Sequence, residues 1–376
     1  MKLRSRPSTA PLGPTSSSRA RDGVVLVTGG AGFVGSHVVD ALVAAGHRVR
    51  VLDCLHPLAH RGRPDYLNAG AEYVFGDLAD GALVARCVEG AVAVCHQAAM
   101  VGLGAGFGDV ERYVGDNDLG TAVLLGALHR SRFAGRLVLA SSMVVYGEGR
   151  YRCPEHGLVA APPRDPATLA AGRFDPACPS CGSPLRPEAV PEDAPLDPRN
   201  VYAATKLHQE HLCAAFGRAA EVSVAALRYH NVYGPRMPRD TPYAGVAGVF
   251  RSALAAGRAP QVFEDGRQLR DFVHVSDVAR ANVMALTMQP PPTGPFNIAS
   301  GDPRSIGEMA AALATASGSG LTPEVTGAWR RGDVRHVFAS TERAARTLGF
   351  TATIPFAQGM AQLADAPMRA SAAAVA

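Results

Sequence analysis

Val24-Val-Leu-Val-Thr28-Gly29-Gly-Ala-Gly32-Phe-Val-Gly35 is the stretch on which the fold turns. A short apolar run, the signature of a buried strand, enters a glycine-rich turn. An apolar segment, Phe33–Ala45, then reads as a helix, with Gly46 where a helix stop is expected. The spacing is GxxGxxG rather than GxGxxG, but the physics is shared. The glycines permit a tight turn, a backbone able to approach a pyrophosphate, and close helix–strand packing, while the helix N-terminus faces the phosphates. Arg48–Asp53 is the next strand, and Asp53 closes it about 20 residues beyond the loop, where a carboxylate accepts from ribose hydroxyls. Cys54 and Leu55 follow where a reader of a 2′-phosphate would carry arginine. The pattern therefore predicts NAD rather than NADP.

Outward from this unit, Tyr73–Phe75, Val92–His96 and Leu137–Ala140 are further strands, with helical segments such as Thr121–Arg130 between them. Alternating strands and helices predict an α/β fold, a Rossmann doubly wound parallel sheet. Asp77 and Leu78 fall at the tip of the third strand, near an adenine. Ala98 and Ala99 follow the fourth, where small residues let a dinucleotide lie against the backbone. The expected domains are a disordered leader (1–22), an NAD-binding domain (23–232) carrying an insertion (148–199), a mainly substrate-binding lobe (233–365) and a flexible tail (366–376). No internal repeat is seen.

The chain has 376 residues and is 47% hydrophobic, enough for a large core without disulfides. The net charge of +4 resides in the leader, where Lys2, Arg4, Arg6, Arg19 and Arg21 oppose only Asp22. The near-neutral body argues against a nucleic-acid partner, and no apolar run is long enough to span a membrane. The leader lacks the apolar segment of a secretory signal; a disordered start is expected, with an organelle transit peptide as the other reading. The expected compartment is a reducing cytoplasm. Cys54, Cys87, Cys95 and Cys213 read as small buried thiols.

Tyr202-Ala-Ala-Thr-Lys206 places both side chains on one helical face. A phenol with a pKa of about 10 is a poor base at neutral pH, and a neighbouring ammonium is expected to lower that value. Lys206 can also reach a nicotinamide ribose. Ser142, in Ser141-Ser142-Met-Val-Val-Tyr-Gly147, follows an apolar strand and can hydrogen-bond the substrate oxygen that Tyr202 deprotonates.

Taken in order, the Gly29–Gly35 loop, Asp53, Ser142, Tyr202–Lys206, Arg228-Tyr-His-Asn-Val-Tyr-Gly-Pro235 and Arg270-Asp-Phe-Val-His-Val275 resemble the NAD-dependent epimerase/dehydratase family of extended short-chain dehydrogenase/reductases. The resemblance runs from residue 24 to about 360, apart from the insertion. It implies catalysis by Ser142, Tyr202 and Lys206. It also implies cofactor contacts from Gly29, Gly32, Phe33, Val34, Gly35, Asp53, Asp77, Leu78, Ala98, Ala99, Asn117, Tyr202 and Lys206, with Asn117, in Asn117-Asp-Leu-Gly-Thr121, also supporting the active-site helix. For a nucleotide-sugar substrate it implies Ser142, Asn231, Arg270, Arg330 and Asp333, with Phe263 as a stacking partner for the base and a solvated charge pair as the other reading of Arg330 and Arg331. A homodimer is implied too.

Two departures bear on the reaction. His230 stands where the family usually has Phe, and Met143-Val144 replaces the acids that 4,6-dehydratases use to expel a hydroxyl. The resemblance then implies inversion at C4 through a transient ketone. A sugar-nucleotide dehydrogenase or reductase that releases its product, and a non-catalytic NAD-binding scaffold, remain as alternatives.

Residues 148–199 are Pro-rich and carry Cys153-Pro-Glu-His156 and Cys178-Pro-Ser-Cys181, with 21 residues between His156 and Cys178. Two pairs of N/S ligands match a closed, structural zinc site, while two unmetallated turns are the other reading. The insertion resembles that of a branch of bacterial sugar-nucleotide epimerases. Lying between Ser142 and Tyr202, it is expected to overhang the mouth of the active site.

Overall fold

A computed structural model describes residues 23–57, 59–102, 106–238, 245–367 and 369. The expectations for the leader, and for the tail apart from Ala366, Pro367 and Arg369, lie outside the described residues. Strand β1 (Val24–Thr28), helix α1 (Phe33–Ala44) and strand β2 (Arg48–Asp53) fall where the glycine loop predicts them. Then come β3 (Glu72–Phe75), β4 (Ala91–His96), helix α2 (Gly120–Arg130) and β5 (Arg136–Ser142). Helix α3 (Val201–Ala220) carries Tyr202 and Lys206, with its N-terminus capped by Asn200 Oδ1 accepting from Ala203 N at 2.8 Å. Strand β9 (Ser223–Tyr229) follows it.

The central sheet has seven strands, all parallel: β13 (Gly294–Ile298) lies at one edge, and the order is β13-β9-β5-β4-β1-β2-β3. Its direction of winding reverses between β1 and β4, and a crevice opens there beyond the carboxyl ends of the strands. Strand β9 has no counterpart among the strands expected from sequence. Neither has β13 (Gly294–Ile298), which comes from within residues 233–365 and pairs with β9. Helix α4 (Val275–Thr287) also packs under this sheet against α1, so the second lobe shares the core of the first. That lobe adds β10 (Asn231–Tyr233), β11 (Gln261–Val262), β12 (Leu269–His274) and β14 (Pro303–Ser305). Its own core joins Tyr233, Phe250, Phe272, Met309 and Leu363. No helix among the described residues is long and apolar enough to cross a membrane.

The insertion is better ordered than its composition suggests. Antiparallel strands β6 (Arg150–Cys153), β7 (Gly157–Val159) and β8 (Arg186–Glu188) form a small sheet in the order β7-β6-β8. Tyr151, Cys153, Ala161, Cys178 and Leu185 make a core of its own. Cys87, Cys95 and Cys213 are buried as expected, but Cys54 is exposed, because it follows the last residue of β2 and lies on the rim of the crevice rather than within a layer.

Candidate active site

The glycine loop is built for close approach. A Cβ on Gly35 would lie 2.1 Å from Gly29 O, and Gly29 sits at φ +68°. Asp53 buttresses the loop: one carboxylate oxygen accepts from Ala31 N at 2.9 Å and the other from Leu55 N at 2.8 Å. Burial raises this carboxyl above the usual range, and the two amides pull it back.

A cleft of about 420 Å³ runs from this loop to the start of α3. Gly29, Gly32, Phe33, Val34, Gly35, Asp53, Asp77, Leu78, Ala98 and Ala99 line one end, and Ser142, Tyr202 and Lys206 line the other. Ser142 and Tyr202 line the same end of the cleft, with Ser142 placed to lower the Tyr202 phenol. Lys206 donates to Ala140 O at 2.9 Å, and its Nζ lies 6.0 Å from the Tyr202 ring centroid. Burial pushes the Tyr202 phenol up to about 12, with Ser142 opposing, and brings Lys206 down to about 8. The lowering of Tyr202 expected from its ammonium neighbour is therefore not what the protein alone provides. Burial and the neighbouring Tyr113 raise the phenol, and the ammonium is engaged with a carbonyl instead.

Polar residues behind the cleft, which the sequence does not single out, fix α3. Thr28 Oγ1 meets His96 Nδ1 at 2.7 Å, His96 Nε2 meets Thr121 Oγ1 at 2.9 Å, and Gln209 Nε2 donates to Thr121 Oγ1 at 2.7 Å. Asn117 is fully buried here and does not line the cleft. Its amide accepts from Met100 N at 2.7 Å and donates to Thr205 Oγ1 at 2.9 Å. Arg228 forks onto Glu210 at 2.8 and 2.9 Å, tying β9 to α3.

The expected substrate residues other than Ser142 lie apart from this cleft lining. Asn231 has a buried Oδ1 without a partner. Arg270 spends its donors on the carbonyls of Leu269, Val334 and Arg335. Arg330 lies over the Phe263 ring at 4.7 Å, and Asp333 O accepts from Arg164 at 2.7 Å. His230 is buried and lines the cleft beside Tyr229.

The insertion grips this second region. Arg335, 1% exposed at its side chain, bonds Asp175 of the insertion at 2.7 Å, Glu264 at 2.9 Å and Asp265 at 2.7 Å. Arg164 of the insertion pairs with Glu264 at 2.8 Å and Glu148 at 3.3 Å. A buried arginine with one carboxylate removed is costly, so these contacts stand or fall together.

Within the insertion, Cys153, His156, Cys178 and Cys181 bring their ligand atoms within 4.8 Å of one another. Cys153 Sγ lies 3.5 Å from His156 Nδ1 and 3.6 Å from Cys181 Sγ, and Cys178 Sγ lies 3.7 Å from His156 Nδ1. Each knuckle is followed by a glycine at positive φ, Gly157 at +68° and Gly182 at +74°.

Comparison with known proteins agrees with this arrangement. The model of the NAD dependent epimerase/dehydratase family matches residues 25–168 and 178–299. The dTDP-L-rhamnose 4-epimerase of Burkholderia thailandensis is 34% identical over 344 residues, 90% of this chain and 93% of that protein. The UDP-glucose 4-epimerase of Thermotoga maritima, solved with UDP-glucose, superposes with a TM-score of 0.74 at 27% identity, covering 91% of this chain and 97% of that one. The UDP-glucose 4-epimerase of Thermus thermophilus, solved with NAD, gives 0.70 at 29%, covering 91% and 98%.

Proposed function

The chain belongs to the NAD-dependent epimerase/dehydratase family, and from that premise we propose that it inverts C4 of a nucleotide-linked sugar through a transient 4-keto sugar. The observation that carries the reading is the convergence of Ser142, Tyr202 and Lys206 at one end of a single cleft whose other end is the Gly29–Gly35 loop. The Gly29–Gly35 loop and Asp53 would hold NAD, which would supply the hydride acceptor and donor and whose oxidised form would add the positive charge that favours ionisation of the Tyr202 phenol, held protonated by burial in the protein alone. Tyr202 takes the proton of the C4 hydroxyl and later returns it, while Ser142 holds that oxygen in place. Lys206 supports the phenolate electrostatically. Met143 and Val144 provide no acid to expel a C6 hydroxyl, so dehydration is not part of the reaction.

The likeness to the Burkholderia enzyme makes dTDP-L-rhamnose the first substrate to offer, and UDP-glucose the second. The test is incubation with each nucleotide sugar and no added cofactor, followed by NMR of the sugar ring. A C4 epimer is expected. Release of an oxidised or reduced sugar, with net consumption of dinucleotide, would replace this reading with a dehydrogenase or reductase. Asn231, Phe263, Arg270, Arg330 and Asp333 are proposed for the nucleotide and diphosphate of the substrate, with Asn117 supporting the cofactor end from behind.

The insertion is proposed to hold one structural zinc through Cys153, His156, Cys178 and Cys181. Zinc bonds of about 2.3 Å to sulfur and about 2.1 Å to nitrogen give tetrahedral edges of roughly 3.6–3.8 Å, which supports this ligand set. Four protein ligands leave no open position, so the metal orders the insertion and takes no part in the chemistry. Thiolate ligands suit a reducing cytoplasm. Exposed Phe107, Val114 and Leu119, close to α2 in sequence, support a homodimer.

A further inference from the structure

Arg369 belongs to the segment expected from sequence to be a loose tail, yet it reaches the cofactor end of the cleft. Its amide donates to Met237 O at 3.3 Å, and it bridges Pro238 in parallel. Its side chain lines the cleft, and Nη1 donates to the Tyr66 hydroxyl at 3.3 Å. Tyr66 in turn donates to Ala31 O at 2.8 Å, within the glycine loop, and its ring is covered by Arg236 at 4.8 Å. Arg369 Nε is buried with no partner. A buried guanidinium nitrogen left unpaired is costly and marks a place where an acceptor is missing.

The charge balance of the cleft says which acceptor. Among its described lining residues, Asp53, Asp77 and Asp116 are acidic, and Lys206 and Arg369 are the only lysine or arginine. Lys206 stands at the catalytic end, engaged with Ala140 O. A diphosphate laid on the glycine loop brings two further negative charges to a region that already holds Asp53. Helix and backbone dipoles offset part of this, and Arg369 is the one full cation on the lining there.

We propose that Arg369 is a cofactor-binding residue: held by Met237 and Pro238 at the cofactor end of the cleft, its guanidinium binds the diphosphate of the dinucleotide. This rests on the reading of the cleft as an NAD site. An epimerase must return the hydride to the sugar that gave it up, so a dinucleotide that escapes between the two transfers ends the cycle. A guanidinium brought by a separate segment gives the site a cation that the Rossmann core itself does not provide at this end.

The test uses full-length protein stripped of dinucleotide, with binding followed by NADH fluorescence and by its displacement with ADP or adenosine. In Arg369→Met, affinities for NADH and ADP should fall about ten-fold or more, as expected for a lost charge-assisted hydrogen bond, with adenosine unchanged. Arg369→Lys should recover part of the loss. Should Arg369→Met not fold, Arg369→Lys carries the test, with a smaller loss for ADP and none for adenosine. Unchanged ADP affinity overturns the proposal, and so does an equal loss for adenosine, which would make Arg369 a matter of pocket shape. Wild-type protein that binds neither NADH nor ADP would instead refute the reading of the cleft.

Discussion

Replacing Cys178 with serine removes one buried thiolate from the proposed zinc site. A metal held there would cross-link the Cys153–His156 hairpin to the Cys178–Cys181 turn, closing a loop of about 25 residues. The chain-entropy relation for a cross-link of that length gives about 3.5 kcal/mol at 25 °C. For 376 residues, an unfolding entropy of about 2.1 cal/mol/K per residue amounts to about 0.8 kcal/mol/K, so the loss corresponds to about 4 °C in Tm. The effect should also be directional. Asp175, three residues before Cys178, holds Arg335, which holds Glu264 and Asp265 beside Phe263. The KM for the nucleotide sugar should therefore rise several-fold while bound NAD stays constant. The assay is elemental analysis of untagged protein, thermal melting with and without a chelator, and steady-state kinetics. Less than about 0.2 zinc per chain under chelator-free purification refutes the reasoning. So does a melting temperature that neither the chelator nor Cys178→Ser moves.

Tyr202→Phe should lower turnover by at least about 100-fold with the NAD content of the purified protein unchanged, because only the ionisable oxygen is lost; retention of a tenth of the rate would remove Tyr202 from the role of base. Gly35→Ala should purify without dinucleotide, since its Cβ would meet Gly29 O at 2.1 Å; absorbance and acid-released nucleotide report this directly. Burial pushes His96 down to about 3, so below pH 6.5 the unfolded chain takes up a proton that the folded chain refuses. Stability then falls as the pH drops through that window, by about 2 kcal/mol at pH 5. His96→Gln should lose less stability than wild type between pH 7 and pH 5 in chemical denaturation, and an equal loss would refute the assignment.

The cofactor end was legible because its physics is local. The glycine loop, Asp53 and the small residues after β4 lie within single strand–turn units, and their spacing dictates the geometry. Tyr202 and Lys206 were legible for the same reason, being one helical turn apart. The network behind them was named only at Asn117, and there by resemblance: Gln209 and Thr121 meet across 88 residues and His96 and Thr28 across 68, and polar side chains in an apolar core carry no periodic mark. Arg270 shows what a motif leaves unsaid: three of its hydrogen bonds run to the carbonyls of Leu269, Val334 and Arg335, the last two across 64 and 65 residues. The sheet of the insertion was hidden by composition, although Arg150-Tyr-Arg-Cys153 does alternate outward and inward. Strand β13 opens Gly294-Pro295, a pair that reads as a turn, and Pro is tolerated there because this strand is the sheet's edge.

That edge strand governs how the protein comes into being at the ribosome. Residues 23–232 emerge first and contain six of the seven strands, but β9 has no outer neighbour until Gly294–Ile298 has left the exit tunnel. For the time taken to synthesise about 65 more residues, some 3–13 s at common elongation rates, the nascent chain presents an open parallel edge of Val, Ala and Leu. The nucleotide-binding half is thus not an independent passenger that folds and waits for its lobe. It is completed by the lobe, and a fragment truncated at residue 232 would leave β9 as an open edge prone to edge-to-edge association.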